Sequence, residues 1–146
     1  MAARAGRTLN LFLDTSLLLA ACGSASGASR AVFYLAPANH WSLQTTPYVL
    51  SEVVTNLDHF PAGATAIWVR LRPQLDVCDD VVSLDRAAVF PVAKDRPVLF
   101  SALAWSKVLL TLDADFRPLG GSFYGLRIMS PAAFIQGERA AGGLRE

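Results

Sequence analysis

The sequence predicts an α/β protein, a three-layer α/β/α sandwich around a central, mainly parallel sheet. Three observations carry that expectation. Strand-like runs of about five residues alternate with helix-like segments along the chain. The runs 9–13 (LNLFL) and 108–112 (VLLTL) are apolar almost throughout, as strands buried on both faces are. Gly, Pro and Ser mark the boundaries between segments. The 146 residues suit one domain spanning 1–146, with a core over about 9–136 and a loose tail over 137–146.

The elements follow in order. Residues 9–13 read as a buried strand, and 15–21 as a helix broken by Gly23 and Gly27. Residues 28–35 are helical and stop near Pro37, since proline disfavours helix at the residue before it. Residues 41–45 form a short strand. Thr46-Pro47 is a helix start, with Thr46 as N-cap and Pro47 at the first helical position. That helix carries Tyr48, Val49, Leu50, Val53, Val54 and Leu57 mostly on one face. A helix over 61–71 stops before Pro73, and 75–78 is a candidate strand. Residues 83–93 read as a helical turn and loop. A helix over 97–105 leads into the apolar strand 108–112. Residues 126–129 are a last strand, and Ser130-Pro131 opens a final helix.

Bulk properties exclude several classes. Hydrophobic residues make up 53% and charged residues 17%, enough for a large core with apolar surface left for a partner or a second copy. The formal net charge is +1, so no overall basic field announces nucleic acid, and any such role must come from local charge. Cys22 and Cys78 stand far apart without a Cys-x-x-Cys, which reads as two buried thiols in a reducing, cytoplasmic compartment. His40 and His59 have no metal-ligand spacing. No run of apolar residues is long enough to span a membrane. Leu19-Ala20-Ala21-Cys22 imitates a lipoprotein signal, but Asp14 interrupts its apolar region. A carboxylate there costs roughly 2.5–3.5 kcal/mol on insertion scales. The strand-then-helix reading of this stretch is the one adopted.

With 12 acidic residues, their positions carry information. Asp14 directly follows the first strand and Asp113 directly follows 108–112. In an open parallel sheet the carboxyl ends of the strands line one edge, where ligands bind. Either aspartate alone reads equally as a helix cap; two at one edge point to a cleft. Asp95 precedes the helix 97–105 and is either its cap or a third member of the cleft. Glu52 lies off the apolar stripe of its helix, so spacing leaves it between a solvated residue and one leaning into the cleft. Carboxylates converging in one place raise each other's pKa unless a divalent cation joins them. Oxygen ligands without His or Cys suit Mg²⁺ or Mn²⁺, and hence metal-assisted phosphodiester chemistry.

The order of these pieces resembles the PIN-domain ribonucleases, the family that includes VapC-like toxins of toxin–antitoxin pairs. The matching stretches are LFLDTSLLL, TPYVLSEVV, KDRPVLFSALAWSKVLLTLDADF and SPAAFI, spread over roughly residues 9 to 136. The resemblance implies a quartet of acids around one or two Mg²⁺ or Mn²⁺ ions: Asp14, Glu52, Asp95 and Asp113, with Asp115 as a further acid of the last motif. Asp14, Asp95, Asp113 and Asp115 would be ligands, and Glu52 a ligand or the group that orients water. Thr15, Ser16 and Thr111 would supply hydroxyls near the acids. The turn Trp105-Ser106-Lys107 lacks the glycine usual in the family, which bears on cleft shape and not on the acids.

The implied activity is endonucleolytic cleavage of single-stranded RNA by metal-activated water. Lys94, Arg96, Lys107 and Arg117 flank the acid-bearing segments as candidate phosphate contacts, and Arg70 and Arg72 lie at a helix end. Family habit and the apolar composition imply a homodimer and a cognate antitoxin. Two rivals stand beside this reading. A haloacid-dehalogenase-type phosphatase also starts with a strand ending in Asp, but wants a second Asp where Ser16 stands. A catalytically silent PIN-like RNA-binding or assembly module would keep the fold and lose acids, and all four are present.

Overall fold

A computed structural model describes residues 7–82 and 95–146, apart from the side chains of Arg117 and Pro118. The turn and loop expected over 83–93, and Lys94, therefore lie outside the described residues. Five parallel strands make the body of the sheet: β1 (Leu9–Leu13), β2 (Trp41–Thr45), β3 (Asp76–Val77), β4 (Val108–Leu110) and β6 (Leu126–Met129), with β5 (Ser122–Phe123) antiparallel to β6. Their order is β3-β2-β1-β4-β6-β5. The helices are α1 (Thr15–Gly23), α2 (Ala28–Asn39), α3 (Pro47–Asn56), α4 (Ala64–Leu71), α5 (Arg96–Trp105) and α6 (Pro131–Ala140).

Successive strand residues point to opposite faces. Leu11, Phe12 and Leu13 are all fully buried, as are Val108, Leu109 and Leu110, so both faces of the sheet are covered. That is the three-layer α/β/α sandwich the sequence predicts. Each such side chain contributes roughly 1.5–3 kcal/mol by burial, which makes β1 and β4 the anchor of the core.

Topology then places the functional edge. From β1 the chain steps outward through β2 to β3, and after β3 it returns to β4 on the other side of β1. The order reverses between β1 and β4, which pair in register from Leu11↔Val108 to Leu13↔Leu110. A reversal of this kind leaves a crevice at the carboxyl ends of the two strands.

Several boundaries depart from the expectation. The helix expected to stop near Pro37 runs a further turn, because Asn39 Nδ2 donates to the Leu35 carbonyl and the backbone of His40, in the left-handed region (φ 56), closes the end. The helix expected over 61–71 begins at Ala64. The strand 108–112 ends at Leu110 by pairing, although Thr111 N still donates to the Met129 carbonyl at 3.0 Å. The tail placed from Gly137 continues α6 to Ala140, and Asn39 then holds Arg145 by two backbone contacts of 2.7 Å.

Candidate metal centre at the carboxyl edge of the sheet

Asp14 caps α1 from the end of β1. Its Oδ1 accepts the Leu17 N–H at 3.0 Å, the bond expected of an N-cap. The same oxygen accepts the Ser16 hydroxyl at 2.7 Å, and Oδ2 accepts the Thr111 hydroxyl from the end of β4. Both sequence readings of Asp14, cap and cleft residue, describe the same side chain. It is 4% exposed, and burial pushes its pKa from the ordinary 3.8 up to about 6. The three hydrogen bonds pull the other way, and the charge of Asp113 adds to the rise.

The hydroxyls tie β1 to β4. Thr111 Oγ1 accepts the Asp113 N–H at 2.9 Å, and Ser16 Oγ accepts the Leu112 N–H at 3.0 Å. Asp113 Oδ1 in turn accepts the Asp115 N–H at 2.9 Å, which turns the chain into a 3-10 helix over Ala114–Leu119. Asp95 is the N-cap residue of α5, makes no side-chain cap bond to that helix, and lines the cleft. From α3, Glu52 Oε1 accepts the Thr15 hydroxyl at 2.8 Å, across from the first turn of α1. Glu52 is therefore the residue leaning into the cleft, the alternative that spacing left open.

The outcome is a cleft of about 250 Å³ lined by Asp14, Glu52, Asp95 and Asp113 from four separate segments, with Leu19, Val98 and Phe116 as apolar wall. Oxygens of Asp95, Asp113 and Asp115 all lie within 4.8 Å of one another, and these three residues are half-buried. Asp115 thus joins the carboxylate group, whereas Asp14 stands beside it with most of its lone pairs engaged by Leu17, Ser16 and Thr111. A larger pocket of about 450 Å³ adjoins the cleft, sharing Asp113 and Phe116 and continuing past Gly120, Gly121, Ile128, Met129 and Ser130.

The candidate cations are placed unequally. Arg96 opens α5 directly after Asp95, at the end of the helix that carries that acid. Lys107 precedes β4 and so stands at the amino edge of the sheet, the wrong end for the acids. Arg70 and Arg72 follow the same logic, since α4 ends just before β3 starts from that edge. Lys94 and the side chain of Arg117 lie outside the described residues.

Asn56 escapes the sequence reading and Tyr48 enters it only as part of the apolar face of its helix, yet both belong to the cleft region. Asn56 lines it and donates Nδ2 to the Glu52 carbonyl at 2.7 Å. Tyr48 lies close enough that burial first, and then the charges of Glu52, Asp95 and Asp80, push its phenol pKa up. The signal was available: 48, 52 and 56 are one helical turn apart and share a face.

Where the haloacid-dehalogenase pattern needs a second carboxylate, Ser16 supplies a hydroxyl already engaged with Asp14 and Leu112. The stretch that imitates a lipoprotein signal forms β1 and α1, with Cys22 buried in the core as expected, whereas Cys78, expected buried, is only partly so. Among the described residues no helix is long and apolar enough to cross a membrane.

No family model and no curated protein matches the sequence. Among solved structures, the chain is similar to VapC20 of Mycobacterium tuberculosis, described as a Sarcin-Ricin loop cleaving toxin. The two align with a TM-score of 0.47 and 22% identity, over 80% of this chain and 98% of that one.

Proposed function

We propose that the protein is a metal-dependent endoribonuclease of the PIN-domain kind, acting on single-stranded RNA in the cytoplasm. One observation carries the reading: four carboxylates from four separate segments converge on one cleft at the switch point of the sheet. The donor set fits a hard divalent cation. Three half-buried carboxylates crowd within 4.8 Å, and all of their donor atoms are oxygen. Asp95, Asp113 and Asp115 would hold Mg²⁺ or Mn²⁺, with Asp14 beside them. Such an ion, when bound, polarises a phosphoryl oxygen and lowers the pKa of water.

The chain's own residues do the rest. Ser16 and Thr111 hold Asp14 in one orientation, and Thr111 also positions the Asp113 backbone. Glu52, held through one oxygen by Thr15, has its other oxygen available to orient an attacking water. Arg96 is suited to meet a phosphate at the mouth of the cleft. The adjoining pocket of about 450 Å³ leaves room for the nucleotide beside the scissile bond. A homodimer and a cognate antitoxin belong to the same proposal, supported by exposed Val54, Val69, Trp105 and Tyr124.

The test is cleavage of a mixed set of labelled RNAs with Mg²⁺, Mn²⁺ or EDTA, beside an Asp95→Asn/Asp113→Asn double variant. Metal-dependent cutting is expected, lost in the variant while its circular dichroism stays that of wild type. A metal-replete wild type that cuts none of the RNAs and shows no thermal response to metal would move the reading to a silent RNA-binding module. Light scattering checks the dimer.

A further inference from the structure

At the far end of the molecule from the acids, α2 and α4 enclose a pocket of about 270 Å³. It is lined by Arg30, Tyr34, Ile67, Arg70, Leu71 and Gln74. Its position follows from chain direction. α1 leaves the carboxyl edge after Asp14, so Ala21 in its last turn lies towards the amino edge; α4 ends just before β3 starts from that same edge.

Arg30 is 7% exposed, yet among the described residues it forms no ion pair. Its Nε–H donates to the Ala21 carbonyl, one of the orphan acceptors that end α1. This uses one of the five N–H groups of the guanidinium. The terminal nitrogens make no hydrogen bond among the described residues, and Arg30 lines the pocket. Arg30 also sits in the first turn of α2, where the helix dipole disfavours a cation. A buried guanidinium without a counter-charge is costly, and no carboxylate lines this pocket. Arg70 adds a second positive charge, and Tyr34 and Gln74 add neutral groups able to donate.

We propose that this pocket binds a phosphate group, with the terminal nitrogens of Arg30 and the guanidinium of Arg70 as its charged donors. Donors from two helices suit a tetrahedral phosphate, which has acceptors on several sides, better than the two oxygens of a carboxylate. A small-molecule phosphate and the backbone phosphate of RNA offer the same oxygens. The proposal does not depend on the ribonuclease reading, because the pocket and the acidic cleft share no residue.

The experiment is isothermal titration calorimetry of the full chain in EDTA with inorganic phosphate, against sodium chloride at matched ionic strength. Saturable binding of one phosphate per chain is expected. Arg70→Met, on the exposed surface, should weaken it by about tenfold, as loss of a charge-assisted hydrogen bond does. Arg30→Met should abolish it. Because Arg30→Met also loses the bond to α1, its fold is checked by circular dichroism, and the Arg70 variant decides independently if it unfolds. A short single-stranded RNA that competes with phosphate identifies RNA as the source; phosphate binding without competition identifies a small molecule. No saturable binding, or equal binding in wild type and Arg70→Met, overturns the proposal and leaves Arg30 as a clamp on the end of α1.

Discussion

Asp14 serves two masters at the residue scale. As the cap of α1 it is most useful charged, and as a side chain 4% exposed it resists charge. Burial wins over the three hydrogen bonds, and the carboxyl is pushed up to about 6. A carboxyl whose folded pKa exceeds its unfolded value binds its proton more tightly in the folded chain. Its contribution to stability is therefore fully present below 3.8 and is lost as pH rises through about 6. The gap corresponds to about 3 kcal/mol. Urea denaturation in EDTA, across about pH 4 to 7, should show wild type losing roughly that much relative to Asp14→Asn. A stability difference that stays level with pH would mean that the carboxyl titrates normally.

At the scale of elements, α3 shows a division of labour. Thr46 occupies the cap position that its sequence advertises, but its side chain makes no cap bond, and its buried Oγ1 has no hydrogen-bond partner among the described residues. The orphan N–H of Tyr48 is met instead by Asp80, with Oδ2 at 3.1 Å, from beyond β3. Asp80→Ala should then cost about 0.5–2 kcal/mol, the usual value of a lost cap, whereas Thr46→Val should be neutral or stabilising. Thermal melts of the two variants decide it, and destabilisation by Thr46→Val alone would show that the hydroxyl is the working cap. The sequence could name Thr46-Pro47 because capping is a local pattern; it could not name Asp80, whose role depends on a contact 32 residues away. The β5 strand was illegible for a related reason. It has two residues, and its hairpin turns on Tyr124 and Gly125, both at positive φ (49 and 86), without the Asn-Gly signature of such turns.

At the scale of the whole molecule, the acids were legible where strand order alone decided their place. Asp14 and Asp113 end strands that prove to be neighbours, so a correct reading of two strands sufficed. Glu52 needed the resemblance, because its place depends on how α3 leans against α1. Lys107 misled because nearness in sequence to Asp113 spans the length of β4 and ends at the opposite edge of the sheet. Asp115 is the residue whose standing changes most, since its carboxylate lies within 4.8 Å of Asp95 and Asp113. Crowding of that kind carries opposite costs with and without a cation. Without one, like charges repel, and neutralising any member relieves the fold. With one, each carboxylate adds to binding, and a cation at 100 times its Kd stabilises the folded chain by about 2.7 kcal/mol. For a chain of this size that is a rise in Tm of about 5–10 °C. Asp115→Asn should therefore raise Tm in EDTA and shrink the rise produced by Mn²⁺, two changes of opposite sign in one variant. The substitution keeps the backbone N–H that bonds Asp113, so the 3-10 turn is preserved. Differential scanning calorimetry with and without Mn²⁺ measures both. An unchanged Mn²⁺ response would confine Asp115 to shaping that turn and leave the cation to Asp14, Asp95 and Asp113.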